Sequence, residues 1–84
     1  MKRYLILAFR TPSFSDEVVQ PHKDFLAELR SKGVLDLAGG FSDKTGGAYT
    51  VWAESLEAAE AIAFADPIHT TGASKLSVYE WNAN

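Results

Sequence analysis

The chain has 84 residues, a formal net charge of −3 and no cysteine. It predicts one small domain over residues 1–84, with neither a disulfide framework nor a thiolate metal site. Two histidines are too few for a dedicated zinc or iron centre, and the absence of a basic run interleaved with aromatics argues against nucleic-acid binding.

RYLILAF (Arg3–Phe9) is a short, nearly unbroken apolar run, which predicts a strand buried on both faces. It is too short to span a bilayer, so a soluble, cytoplasmic protein without membrane contact is expected. RTPSFSDE reads as a loop. Val18, Phe25, Leu26 and Leu29 then recur at helical spacing and predict an amphipathic helix facing a core. Pro21 fits only a first turn, so the regular part should start near Gln20, with SDEVV able to form a turn before it. Gly33 closes this helix, and Arg30 and Lys32 sit in its last turn, where the helix dipole favours cations.

VLDLAGG (Val34–Gly40) alternates and reads as a second strand. FSDKTGG is a turn-rich link to a third, AYTVWAE (Ala48–Glu54). Ser55 is a good N-cap for LEAAEAIAFA, which has Glu57 in its first turn. Asp66-Pro67 ends that helix, because a residue before proline is pushed out of the helical region. PIHTTGA reads as a loop, and KLSVYEW (Lys75–Trp81) as the closing strand.

The order β-α-β-β-α-β is the split βαβ of ferredoxin-like α+β folds, an antiparallel sheet with both helices on one face. An apolar first strand with Trp52 and Tyr79 would leave the other face as an exposed patch, which predicts a sheet-to-sheet homodimer. Alternating chain directions bring Arg10, His22, Gly40, Phe41, Ser42, Asp66 and His69 to one rim.

His22 is the odd member of its helix, a titratable ring on the core-facing stripe. It lies near a helix N-terminus and Asp66 at a helix C-terminus, placements that disfavour the charged form of each by ~0.3–1 kcal/mol. A direct contact opposes both effects and fixes the imidazole tautomer. Such an oriented imidazole is a general acid or base. The alternative is a packing histidine bonded to a backbone carbonyl or to Asp66, with Asp66 simply capping its own turn. Arg10 either neutralises an anionic ligand or ends a strand, and His69 either joins the rim or is a solvated loop residue. Phe41 and Ser42 would line the pocket mouth, and backbone amides from Gly40 to Ser42 would steady an oxyanion. GGFSDKTGG lacks the Lys-Ser/Thr of a phosphate loop.

His22, Gly33, Leu35, Ala38 and Gly39, in the pattern H-x₁₀-G-x-L-x-x-A-G, together with SLEAAEAIAFADP and Gly72, resemble the YCII-related family over nearly the whole chain. The resemblance implies a subunit that pairs through its sheet like muconolactone isomerase-like barrels, and a His–Asp active site that maps onto His22 and Asp66. A relative that removes chloride from a chlorinated hydroxyhydroquinone further implies acid–base elimination on small aromatic or dienone-like compounds. Two departures stand out. Gly40 replaces the proline that often follows the Ala-Gly pair, and no arginine stands just upstream of His22.

Two functions follow. One is a small enzyme of lyase or isomerase type, needing no cofactor and no metal, in which His22 and Asp66 are catalytic and Arg10, Gly40, Phe41, Ser42 and His69 contact a small-molecule ligand. The other is a non-catalytic ligand-binding or accessory dimerisation domain.

Overall fold

Alternation, not continuous apolarity, decides how the first strand sits. In the computed structural model, which describes residues 1–84, β1 (Lys2–Arg10) buries Tyr4, Ile6 and Ala8 on one face. Arg3, Leu5 and Leu7 are only half-buried on the other. The expectation of a strand covered on both sides is therefore corrected within the subunit: the helices pack on one face alone.

A 3₁₀ turn, Asp16–Val18, is capped by the Ser15 side chain and leads into α1 (Val19–Ser31). Val18 and Leu29 are buried on the helix stripe, with Phe25 and Leu26 packed against them. Gly33, at φ 75°, takes the left-handed conformation that ends the helix. Its amide donates to Arg30 O and the Val34 amide to Leu29 O, which satisfies two end carbonyls.

The hairpin of β2 (Leu35–Gly40) and β3 (Gly46–Ala53) follows, then α2 (Leu56–Phe64), α3 (Pro67–Thr70) and β4 (Ser74–Glu80). Ser55 caps α2 by accepting from the Ala58 amide. The segment expected to be loop after Asp66 contains α3. Pro67 is preset for a first helical position, and the Asp66 side chain accepts from the Ile68 amide, so four residues suffice.

All strand pairs are antiparallel, in the order β2-β3-β1-β4, the arrangement of a ferredoxin-like α+β fold. Tyr4, Ile6, Tyr49, Val51 and Leu76 form the sheet's contribution to the core, against Ala59 and Ala63 of α2. The opposite face carries Leu5, Leu7, Trp52 and Tyr79, with Leu37 65% exposed beside them. It also holds a polar patch. The register of β2 shifts between Leu35 and Ala38, which frees the Leu37 amide from the ladder. That amide donates to the Thr50 hydroxyl, which donates to Asp36, and Asp36 lies 3.0 Å from Arg3 Nε. No helix is long and apolar enough to cross a membrane.

Candidate active site

His22 and Asp66 stand 44 residues apart in sequence and touch in the fold. His22 Nδ1 is 2.8 Å from Asp66 Oδ2 and 3.0 Å from Oδ1. Asp66 has no exposed surface. Its place is corrected from the sequence reading. The residue that ends α2 also caps α3, so its carboxylate faces the positive end of the short helix rather than only the negative end of the longer one.

A third residue completes the arrangement and escaped the sequence reading. The Tyr49 hydroxyl donates to Asp66 Oδ2 at 3.1 Å, while the Ile68 amide donates to Oδ1 at 3.0 Å. Burial, then the charge of Asp66 and the hydrogen bond to it, hold the Tyr49 phenol well above its ordinary range, which favours its role as a donor to Asp66. A carboxylate already accepting from Tyr49 and Ile68 can only accept from His22 as well. With Asp66 ionised, the imidazole donates through Nδ1, and no residue of the chain hydrogen-bonds Nε2. The signal for Tyr49 lay in alternation: it shares a face with Val51 and Ala53, and a hydroxyl on a buried face needs a partner.

His22 and Tyr49 line a cavity of about 280 Å³. Its apolar walls include Phe14, Val18, Leu26 and Ile68, and the volume suits a single-ring compound better than a large cofactor. The sheet side depends on glycine. A Cβ on Gly47 would stand 2.5 Å from the Gly39 carbonyl oxygen, and one on Gly46 would collide with the Ala8 carbonyl. Both residues line the cavity.

Of the other residues expected at the rim, Arg10 and Gly40 line the cavity, whereas Phe41, Ser42 and His69 do not. Phe41 packs on Phe9, with ring centroids 5.8 Å apart, and His69 on Phe64, at 4.6 Å. Ser42 is exposed in the hairpin turn. The Phe41 amide is already spent on Gly46 O at 2.8 Å, so it is not available to an oxyanion. The hairpin tip is instead ordered by Asp43, whose carboxyl is held below its ordinary range by the Thr45 hydroxyl and amide. No group of three or more His, Cys, Asp or Glu side chains converges in metal-binding fashion.

The YCII-related domain family model matches residues 2–82. Uncharacterized protein YjpA of Bacillus subtilis (strain 168) is 46% identical over 81 residues, covering 96% of this chain and 95% of that protein. Among solved structures, 5-chloro-2-hydroxyhydroquinone dehydrochlorinase (TftG) from Burkholderia phenoliruptrix AC1100, in complex with 2,5-dihydroxybenzoquinone, is similar with a TM-score of 0.73. That likeness covers 98% of this chain and 95% of the other, at 22% identity, and is a likeness of fold.

Proposed function

The chain belongs to the YCII-related domain family, and we propose that it is a cofactor-independent enzyme moving a proton on a small cyclic or aromatic compound. The observation that carries this reading is the imidazole of His22, anchored through Nδ1 to a buried carboxylate while its other nitrogen is free beside an apolar cavity. In the proposed step, His22 Nε2 takes a proton from an acidified carbon or hydroxyl. The electron pair left behind forms a double bond and expels a leaving group such as chloride, or is reprotonated elsewhere in an isomerisation. Asp66 orients the ring and stabilises the imidazolium that forms. Tyr49 holds Asp66, acting on the chemistry only through it. Arg10 and Gly40 contact the ligand.

The dehydrochlorinase fold neighbour, bound to a dihydroxybenzoquinone, supports small oxygenated rings as the first compounds to try. Elimination of chloride can be followed directly by chloride release and ring absorbance. His22→Gln is expected to keep the wild-type melting curve and to slow turnover by roughly 10²–10⁴-fold. Unchanged turnover in the folded variant would sink the proposal. Binding of such rings with no turnover in the wild type would favour a ligand-binding or accessory domain instead.

The same reading includes a homodimer. The half-buried Leu5 and Leu7 and the exposed Leu37, Tyr79 and Trp81 make the helix-free sheet face a surface suited to a second copy.

A further inference from the structure

We infer that Arg10 and Ser74 form a seat for a single oxyanion, so that the ligand of the cavity is a compact ring bearing a carboxylate or an ionised ring hydroxyl. The inference rests on the reading that this cavity holds the ligand, and it assigns the charge that ligand carries.

Arg10 and Ser74 are direct cross-strand partners between β1 and β4, and both line the cavity. Side chains so paired leave the same sheet face with Cβ atoms about 5 Å apart, a spacing that lets a guanidinium and a hydroxyl share one oxyanion. Ser74 is 7% exposed as a residue, and its hydroxyl, which has no partner within the chain, remains accessible. The hydroxyl is thus not a sealed, orphaned group, and its residue lines a cavity whose other walls are largely apolar.

Arg10 is held in place without being neutralised. Its guanidinium lies 4.1 Å from the centre of the Phe14 ring, and no carboxylate approaches within salt-bridge distance. Lys23 lines the same cavity and is likewise unpaired. No aspartate or glutamate lines it, although the chain as a whole carries a net charge of −3. The fully charged side chains that line the cavity are thus both cations, with the Asp66 carboxylate set behind its wall on His22 and Tyr49. A cation stacked on an aromatic ring beside a free hydroxyl recognises an anionic oxygen. The apolar walls around it select a ring over an inorganic ion.

The test uses the full chain and probes that do not react. Benzoate supplies the carboxylate arm, 4-nitrophenolate above its pKa the ring-oxyanion arm, and benzamide a neutral ring of benzoate's shape. Binding is read from the backbone amide resonances of Ser74 and Gly40 as each probe is titrated. At least one anionic probe is expected to saturate these shifts at a concentration tenfold or more below that needed for benzamide, and the tighter arm identifies the oxyanion. Arg10→Gln and Ser74→Ala should each weaken that probe about tenfold with the melting temperature unchanged, while Lys75→Gln, outside the cavity, should not. Equal binding of benzamide, indifference to both variants, or no binding of either anion would overturn the seat. The same titration in His22→Gln keeps the two ideas apart. An anion still held there supports the seat whether or not turnover is ever found, and a failed seat leaves proton transfer to be judged by activity alone.

Discussion

Asp66 is where chemistry and architecture share a side chain. Its two oxygens serve Tyr49, Ile68 and His22, which belong to β3, α3 and α1. Removing the Tyr49 hydroxyl alone, in Tyr49→Phe, should cost about 1–3 kcal/mol in urea unfolding, the range for a buried acceptor that loses a donor. The same substitution has a pH signature. Folded Tyr49 keeps its proton above the pH at which an unfolded tyrosine ionises, near 10. Its contribution to stability is thus fully present below pH 10 and lost as pH rises beyond it, with a limiting slope of about 1.4 kcal/mol per pH unit. Melting temperatures measured from pH 9 to 11.5 should fall more steeply for the wild type than for Tyr49→Phe. Parallel curves would show that Tyr49 ionises freely. At this scale the sequence revealed His22, because a ring on an apolar stripe is conspicuous, and Asp66, because it precedes proline. Tyr49 and Ser74 stayed hidden. Each looks like an ordinary strand residue until the sheet register shows which face it occupies.

Elements were legible wherever periodicity had room to repeat. The four strands and two longer helices lie within a few residues of their expected places, and Gly33 and Ser55 mark a helix end and a helix start as expected. α3 was not legible, since one turn is too short to show a period and its stability comes from the Asp66 cap. The β2–β3 hairpin hides a different constraint. Gly39 and Gly47 look equivalent in sequence, yet a Cβ on Gly39 meets nothing within 4 Å, whereas one on Gly47 runs into the Gly39 carbonyl. Gly47→Ala should therefore destabilise the protein by about 1–3 kcal/mol, and Gly39→Ala should stay within about 0.5 kcal/mol of the wild type. Chemical denaturation of the pair decides this, and equal effects would refute the close approach.

At the scale of the whole molecule, one sheet face is packed and the other is not. Leu7, on the central strand β1 between Ala48 and Ser77, lies in the middle of the open face. If a second copy covers that face, Leu7→Lys should convert a dimer into a folded monomer at micromolar concentration, as read by sedimentation. A variant with the wild-type mass would rule out pairing through this surface. The two tryptophans belong to this side of the molecule. Trp52 stacks under the Arg3 guanidinium at 4.6 Å, and the Trp81 amide donates to the Arg3 carbonyl at 2.9 Å. Neither lines the cavity. If a second copy does cover this face, the two indoles would serve as an optical gauge of that pairing. Intrinsic indole emission would then shift on dilution through the association constant of the proposed dimer and stay constant when a colourless ring compound is added.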